Sequence, residues 1–331
     1  MELRAEHITI AVTVFSRRDF VCDAIRSALD QTVAVRVIVV EDCGPDAGMR
    51  EFITAEFGDR IQYFRNPQNR GLFDNWNACL EYCQTPWLSI LHDDDLLHPH
   101  FIATMLALAK DAPDRAIYFG RSANLSAVGK IQPAPPVNWP SNWRDLDVRK
   151  FAEECLVLFP GQLFRVAAAR EVGSFKPVSF FTGDWDMWFR LTLQFGGAQT
   201  ATEVSAMRSH EGDDRGTTRV ERMGWKWALD NVQRKRNLAR LRQEKGINIP
   251  FDRTKLLAES PIPSRLIFRH ARKFTKRICA YNWWLFTHSR PPHWRYTILQ
   301  WLARLTGPQI LRFASDFLCR RNRRNSKQVI A

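Results

Sequence analysis

Two kinds of residue pattern alternate regularly over the first hundred residues, and this alternation limits the possible folds more than any other feature of the sequence. Short runs rich in β-branched and apolar residues predict strands, and segments with apolar residues at helical spacing separate them. The predicted strands span residues 8–15, 35–40, 60–66 and 87–95, and the predicted helices span 20–31, 49–58 and 74–84. This alternation with short links predicts a mostly parallel α/β sheet, flanked by helices on both faces and joined by right-handed crossovers.

Composition narrows the class of protein. The chain has 331 residues, 45% apolar and 25% charged, which fits one large globular domain or two ordinary ones. A disordered chain, a collagen-like fibre and a small disulfide scaffold are excluded. The seven cysteines have no framework spacing, so we expect reduced thiols and a cytoplasmic location. The N-terminal segment has the pattern of a first strand rather than a signal peptide. The sequence contains no run of about 18 apolar residues, so we expect no transmembrane helix.

Charge is distributed unevenly along the chain, whose formal net charge is +13. Residues 1–218 carry 22 basic and 29 acidic residues, whereas residues 219–331 carry 26 basic and 6 acidic ones. The net charges of the two parts are therefore −7 and +20. This asymmetry predicts a mildly acidic body and a basic appendage that faces an anionic surface, either membrane lipid or nucleic acid. The alternative is a basic helical face that is simply solvated.

The basic part contains two segments with apolar residues at helical spacing, residues 265–289 and 294–318. Basic helices that also carry Trp and Phe are typical of the surface of an anionic leaflet, and the basic run 320–327 would add to the attraction. We therefore expect membrane contact through residues 265–327. The alternative is two helices that pack on the body with their basic faces in water.

The most informative local motif is the run His92-Asp93-Asp94-Asp95, which follows a predicted apolar strand. Three adjacent carboxylates repel one another unless a cation or several hydrogen-bond donors offset their charge. Hard oxygen ligands suit Mg²⁺ or Mn²⁺, and such an ion could hold a diphosphate. The alternative is a solvated acidic turn that caps the helix starting near Pro99.

Polar, basic and aromatic residues also follow the other predicted strands. Because ligands of open α/β sheets bind beyond the carboxyl ends of the strands, these residues would line one crevice. They are Thr13, Phe15 and Arg17 after the first strand, Glu41 and Asp42 after the second, and Asn66, Asn69 and Arg70 after the third. Hydrogen-bonding groups, a flat apolar ring and guanidinium groups are the set that a nucleotide diphosphate needs.

The four strand-and-turn segments of residues 8–100, taken in order, resemble the nucleotide-binding half of glycosyltransferase family 2. The resemblance resumes at residues 173–191 and at 208–210, so it covers roughly the first two-thirds of the chain. It implies a GT-A-type, Rossmann-like α/β fold with a basic C-terminal helical extension. The implied domains are a catalytic domain of residues 1–218, with a nucleotide-binding half (1–100) and an acceptor-binding half (101–218), and a basic, Trp-rich helical region of residues 219–331.

The resemblance assigns nucleotide contacts to five residues. Thr13, Phe15 and Arg17 match the family's first-strand loop, which lines the base site; Asp42 matches an acid that contacts the base, and Arg70 matches a further nucleotide contact.

It also implies a metal site. The run from His92 occupies the family's Asp-x-Asp position, with His92 in place of the first acid. Asp93 is then expected to contact the nucleotide. Asp94, Asp95 and the later His210 are expected to hold Mn²⁺ or Mg²⁺.

Asp184 is the candidate catalytic base. Gly183-Asp184 stands where the family usually has a Glu-Asp pair. A sugar hydroxyl is a poor nucleophile near neutral pH, and a carboxylate within hydrogen-bond reach can take its proton. The alternative is that Asp184 caps the helix that follows. The resemblance implies inverting transfer, without a covalent intermediate.

The sequence therefore predicts a metal-dependent glycosyltransferase that acts in cell-surface polysaccharide synthesis, with a nucleotide-diphosphate sugar donor and a glycan or lipid-linked acceptor. It would be cytoplasmic or peripheral on the inner face of the membrane. Three alternatives remain. A nucleotidyltransferase would need a Gly-rich loop after the first strand, which Phe15-Ser16-Arg17-Arg18 does not provide. A nucleic-acid-binding protein would act through the basic tail, which has no zinc-finger or RNP pattern. An inactive relative would explain His92 and Gly183.

Overall fold

The computed structural model of the protein describes residues 2–176, 182–209 and 225–249. The chain divides into two compact units, Met1–Asp213 and Asp214–Ala331. Several predicted features lie outside the described residues: the candidate ligand His210 and the basic segments 265–289, 294–318 and 320–327. The predicted domain boundary at residue 218 stays a prediction.

The described part of the first unit contains ten strands. They are β1 (Ile8–Val14), β2 (Arg36–Glu41), β3 (Gln62–Arg65), β4 (Trp87–His92), β5 (Leu96–Leu97), β6 (Ile117–Ser126), β7 (Ile131–Gln132), β8 (Trp143–Asp145), β9 (Gln162–Arg165) and β10 (Gly197–Ser209).

The helices that accompany them begin and end as follows. They are α1 (Arg18–Leu29), α2 (Met49–Phe57), α3 (Leu72–Tyr82), α4 (Phe101–Asp111), α5 (Val148–Glu153), α6 (Val166–Glu171), α7 (Gly183–Phe195) and, in the second unit, α8 (Trp225–Lys245), together with the 3₁₀ helices Ala5–His7 and Gly58–Arg60. Every strand and helix predicted for the first hundred residues is present, with small differences at the ends. Among the residues that the structure describes, no helix is both long and apolar enough to cross a membrane.

The strands form one sheet in the order β3-β2-β1-β4-β9-β6-β10-β5. The first four strands in this order are parallel, as the strand–helix alternation predicts. Their register places Thr13 of β1 between Val40 of β2 and His92 of β4. The carboxyl ends of these strands therefore meet at one edge, where the candidate residues were expected to lie.

The other half of the sheet is mixed. Strand β9 is antiparallel to both β4 and β6, and β6 is parallel to β10. The backbone pairing between β4 and β9 ends at Leu88. Beyond it, the side chain of Gln162 makes the hydrogen bonds that a backbone partner would make. The Gln162 amide donates to the Ile90 carbonyl at 2.6 Å and accepts from the Ile90 N–H at 3.4 Å. Because the backbone ladder stops there, the end of β4 is open on this side.

Two apolar layers cover the sheet. Alternate residues of β1 point into a core that α1, α2 and α4 share. The buried residues of β1 in this core are Ile8, Ile10, Val12 and Val14. A second, aromatic cluster joins α3 and α7 to β6 and β9 through Trp76, Trp188, Phe119 and Phe164. In α7, Trp188 is fully buried.

Candidate active site

The turn that follows β4 brings three possible metal ligands together. One ligand atom each from His92, Asp94 and Asp95 lies within 4.8 Å of the others. The Nδ1 atom of His92 is 3.6 Å from a carboxylate oxygen of Asp95, whose other oxygen accepts the backbone N–H of Arg208 at 2.8 Å. Asp93 is buried and is not part of this group. The turn therefore divides its acids into a cluster of possible ligands and one separate carboxylate.

Burial and mutual repulsion make this turn electrostatically costly. Burial and the charge of Asp94 raise the pKa of Asp93 to about 7, although Arg17 and His92 oppose the shift. Burial also raises the pKa of Asp95, against the opposing effect of His92. Burial lowers the pKa of His92, but the neighbouring carboxylates, Asp95 above all, outweigh it and leave the pKa above its ordinary value. Burial above all, with the charge of Asp94, therefore makes the ionised forms of Asp93 and Asp95 costly.

Two arginines approach the turn from different strands. Arg17, at the end of the β1 loop, forms an ion pair with Asp94 and lies 3.6 Å from Asp93. Arg208 of β10 donates through Nε to the carbonyl of Asp94 at 2.8 Å, and its guanidinium lies 4.1 Å from the centre of the Phe20 ring. Arg17 therefore neutralises part of the acidic cluster, and Arg208 fixes its backbone.

The residues expected to bind the base surround the ends of β1 and β2. Asp42 is buried, and its carboxylate accepts hydrogen bonds from the Asn66 amide at 3.0 Å and from the backbone N–H groups of Arg70 at 2.8 Å and Gly71 at 2.9 Å. Asp42 thereby holds the loop that leads into α3. The Arg70 guanidinium is bound by both carboxylate oxygens of Glu81, each at 2.8 Å. Phe15 is 43% exposed at the same edge.

A tight turn after β2 fixes the distance between the loops that follow β1 and β2. The fully buried carboxylate of Glu41 accepts from the Tyr63 hydroxyl at 2.6 Å and from the Gly44 N–H at 3.1 Å, and it pairs with Arg65. Gly44 approaches β1 so closely that a Cβ atom there would lie 1.6 Å from the carbonyl oxygen of Phe15. Only glycine fits at this contact, which joins the two loops that would hold the base.

Asp184 lies in the first turn of α7, whose cap position is Thr182. Its carboxylate accepts the backbone N–H of Trp185 at 2.8 Å. The preceding residue, Gly183, packs directly on the ring of Phe73, because a Cβ atom there would lie 2.0 Å from Phe73 Cε1. The ring of Phe73 therefore fills the space beside the candidate base. Asp186 points elsewhere, into a buried ion pair with Arg190 at 2.9 Å.

A continuous row of rings joins Asp184 to the acidic turn. Phe73 contacts Trp76 edge-on, with the ring centres 5.2 Å apart. Trp76 stacks on Phe159 at 4.6 Å, and Phe159 stacks on the His92 imidazole at 4.0 Å. We call Phe73, Trp76, Phe159 and His92 the ring row. One end of the row therefore packs on Gly183, the residue before the candidate base, and the other end is His92 of the candidate metal site.

The structure places Asp94 and Asp95 in the group of possible ligands, Asp93 beside Arg17, and Thr13, Phe15, Asp42 and Arg70 at or just after the neighbouring strand ends. The roles expected for these residues stay predictions. The sequence does not predict His92 as a ligand or the ring row. The i,i+3 spacing of His92 and Asp95 is a sequence signal that His92 can act as a ligand. The ring row has no such signal, because Phe159 comes from a distant segment and contacts His92 only at the open end of β4.

The donor set of the turn fits a divalent metal ion. Two carboxylates and an imidazole nitrogen converge within 4.8 Å, and they combine hard oxygen ligands with one nitrogen ligand, which Mn²⁺ accepts. The Nε2 atom of His92 is buried and has no hydrogen-bond partner among the described residues. The polar contact of the imidazole in this part of the chain is that of Nδ1 with Asp95. A bound cation would also offset the cost of ionising the buried Asp95.

Comparison with known proteins agrees with this geometry. Residues 9–173 match the family model described as glycosyl transferase family 2. An uncharacterized glycosyltransferase of Rickettsia conorii is 28% identical over 192 residues, which cover 56% of this chain and 31% of that protein. The succinoglycan biosynthesis protein ExoO of Rhizobium meliloti is 27% identical over 143 residues, covering 40% of this chain and 41% of ExoO. The match to the first Rickettsia relatives thus spans about a third of their length.

Solved structures show the same fold. The TarS fragment 1–349 of S. aureus in complex with UDP-GlcNAc superimposes with a TM-score of 0.55 at 12% identity, and the match covers 83% of each chain. The same fragment in complex with UDP gives a TM-score of 0.53 at 11% identity and covers 85% of this chain and 80% of the fragment. The predicted GT-A-type fold is confirmed by this likeness.

Proposed function

Because the chain belongs to glycosyltransferase family 2 through residues 9–173 and is a transferase, we propose that it moves a sugar from a nucleotide-diphosphate donor to a glycan or lipid-linked acceptor. Transfer would be direct, with inversion at the anomeric carbon. The observation that carries this proposal is the convergence of His92, Asp94 and Asp95 at the carboxyl end of β4, where their ligand atoms lie within 4.8 Å of one another.

The donor would bind along the carboxyl ends of β1, β2 and β4. Thr13, Phe15, Asp42 and Arg70 line the proposed base side, where Phe15 offers an exposed ring for packing. Arg17 and Asp93 lie between this side and the acidic turn, where a diphosphate would reach a guanidinium. The TarS fragment in complex with UDP-GlcNAc supports a nucleotide-sugar donor for this fold.

A metal ion would be held by His92, Asp94 and Asp95, and His210 is proposed as a further ligand. A bound Mn²⁺ or Mg²⁺ supplies positive charge that stabilises the nucleotide diphosphate as it leaves. Asp95 is kept in place by the backbone N–H of Arg208, and Asp94 by Arg17. The positioning of these carboxylates before any ligand arrives lowers the reorganisation that binding requires.

Asp184 would accept the proton of the acceptor hydroxyl as that oxygen attacks the anomeric carbon. Its place in the first turn of α7 favours the ionised form, because free backbone N–H groups and the helix dipole stabilise negative charge there. The proton passes to the carboxylate and the bond to the diphosphate breaks on the opposite side, so no covalent enzyme intermediate is needed.

The biological setting is proposed from relatives. ExoO is a succinoglycan biosynthesis protein, which supports a role in cell-surface polysaccharide synthesis. Such acceptors are often carried on lipid, and the +20 charge of residues 219–331 would attract the chain to an anionic leaflet through residues 265–327. The enzyme would then work at the inner face of the membrane.

A screen of nucleotide sugars by calorimetry, with Mn²⁺ and with EDTA, tests the proposal. We expect one donor to bind in Mn²⁺ and to lose at least about tenfold in affinity in Asp94→Asn. Asp23→Asn, at an exposed carboxylate of α1, is the matched control and should bind like the wild type. Absence of donor binding under every metal condition would contradict the proposed function.

A further inference from the structure

A histidine that binds a metal ion usually has its ring plane fixed by a hydrogen bond at the nitrogen that does not touch the metal. In His92, Nδ1 lies 3.6 Å from the Asp95 carboxylate, whereas Nε2 is buried and has no hydrogen-bond partner among the described residues. Within this part of the chain, no hydrogen bond at Nε2 orients the imidazole. If His92 acts as a ligand, another contact has to orient its ring.

Two buried aromatic rings lie almost parallel to the imidazole. The ring centre of Phe159 is 4.0 Å from that of His92, with 16° between the planes. The ring centre of Trp76 is 5.6 Å from that of His92, with 15° between the planes. Aromatic rings that meet edge-on keep their centres about 4.5–7 Å apart. At 4.0 Å the imidazole therefore cannot turn edge-on unless Phe159 moves.

Phe159 is itself held in place by the residues that follow it. The carbonyl of Gly161 accepts a backbone N–H of β6 at 2.9 Å. The side chain of Gln162 binds both the N–H and the carbonyl of Ile90, which lies two residues before His92. The loop that carries the phenyl ring and the strand that carries the imidazole are thus joined within three residues of each stacked ring, which limits their relative motion.

His92 is also the ligand by which the proposed site can distinguish two divalent ions. Asp94 and Asp95 offer oxygen atoms, which both Mg²⁺ and Mn²⁺ accept. Mg²⁺ takes oxygen ligands and keeps several water molecules. An imidazole nitrogen is a ligand for first-row transition metals, including manganese in carboxylate–histidine sites. A correctly oriented His92 therefore adds affinity for Mn²⁺ and little for Mg²⁺.

We propose that Phe159 is a positioning residue, which holds the His92 imidazole toward the metal site by stacking and thereby sets a preference for Mn²⁺ over Mg²⁺. This inference rests on the metal site of the proposed function. Without the phenyl ring, the contact of Nδ1 with Asp95 restrains the imidazole less, because a single contact at 3.6 Å does not fix the plane of a ring. The carboxylates keep their places, since Arg17 and the Arg208 N–H hold them independently of Phe159.

The test is the affinity of the full chain for the two ions, with Mn²⁺ binding followed by electron paramagnetic resonance and Mg²⁺ binding by competition. The test variant is Phe159→Leu. Phe159→Met is made as well, because its flexible side chain fills more of the space that the ring leaves. Phe164→Leu is the matched control: it removes a buried phenyl ring whose ring contacts are with Phe175 and Trp188. Urea unfolding establishes that each variant is folded.

We expect both Phe159 variants to bind Mn²⁺ about tenfold more weakly, the lower end of the loss when a residue that orients a metal ligand is replaced, with Mg²⁺ affinity unchanged. Phe164→Leu should bind both ions like the wild type. In a His92→Ala background, Phe159→Leu should cause no further loss of Mn²⁺ affinity, because the imidazole through which it acts is gone.

Three results would overturn the inference. They are equal losses of Mn²⁺ and Mg²⁺ affinity, a similar loss in Phe164→Leu, and an undiminished effect of Phe159→Leu in the His92→Ala background. A wild-type chain that binds no Mn²⁺ would overturn it too.

Donor binding, measured by calorimetry on the same proteins, separates this inference from the proposed function. A preference for Mn²⁺ that depends on Phe159, in a protein that binds no nucleotide sugar, would support the role of Phe159 and contradict the proposed function. Donor binding together with unchanged affinities for both ions in every Phe159 variant would overturn the inference and leave the proposed function standing.

Discussion

Gly44 shows how a single residue can fix the spacing of two loops. Its backbone lies against the carbonyl of Phe15, and the neighbouring Cys43 adopts a positive φ of 48°, which few residues tolerate. The buried carboxylate of Glu41 holds this turn by its contact with the Gly44 N–H. The spacing between the β1 and β2 loops is therefore built into the backbone rather than left to side chains.

Substitution of Gly44 by Ala should separate these loops. We expect Gly44→Ala to lower the free energy of unfolding by about 1–3 kcal/mol or more, because the new methyl group overlaps backbone atoms that cannot move independently. Urea unfolding measures this change. Gly48→Ala is the control: its Cβ would meet only side-chain atoms, Arg18 Nη2 at 3.0 Å and Asp46 Oδ1 at 3.7 Å. Equal stability of the two variants would show that the close contact at Gly44 does not exist in solution.

Asp184 carries the second prediction for a single side chain. Asp184→Asn keeps the size and the hydrogen bond to the Trp185 N–H but removes the proton acceptor. We expect kcat to fall by about 10²–10⁴-fold, the usual contribution of a general base, with donor affinity unchanged. Initial rates and donor calorimetry give the two quantities. Full activity of Asp184→Asn would show that another group takes the proton.

Secondary-structure elements differ in how far the sequence predicts them. Strands β1, β2 and β4 follow from local periodicity, because buried parallel strands are continuous apolar runs. Strand β6 is not predicted, since Gly120 and its polar residues weaken the pattern and its pairing with β9 and β10 comes from distant segments. The acidic ligands are likewise local in sequence. The ring row is not, because Trp76 and Phe159 meet only after β4 and β9 diverge.

The start of α7 offers a prediction about two elements in contact. An Ala in place of Gly within a helix normally adds roughly 0.5–1 kcal/mol of stability. At Gly183 we expect the opposite sign, because the methyl group would overlap the Phe73 ring of α3. In a Phe73→Leu background the same substitution should cost much less. A double-mutant cycle from urea unfolding measures the coupling, for which we expect about 0.5–3 kcal/mol. Additive effects would show that the ring does not pack on α7.

For the whole molecule, the proposed site depends on both halves of the sheet. The parallel half supplies the acidic turn and the base side, whereas the mixed half supplies Arg208 and the residues that lead to Phe159. Gln162 joins the halves at the point where the ladder between β4 and β9 ends. Because the carboxylates of Asp94 and Asp95 repel each other until a cation binds, binding of a cation should stabilise the surrounding fold.

This linkage gives the last prediction. At a donor concentration about 100 times Kd, binding adds about 2.7 kcal/mol to the free energy of unfolding. For a unit of this size, each kcal/mol raises Tm by about 2–4 °C, so donor with Mn²⁺ should raise Tm by about 5–10 °C. Thermal unfolding followed by circular dichroism measures the shift. EDTA should abolish this rise in Tm, since the group of His92, Asp94 and Asp95 can bind a negatively charged diphosphate only through a cation. Asp94→Asn should show little shift under any condition, whereas Asp23→Asn should respond as the wild type does. A shift of equal size in EDTA would mean that Arg17 and its neighbours hold the diphosphate without a metal ion, and that the carboxylates serve only to position them.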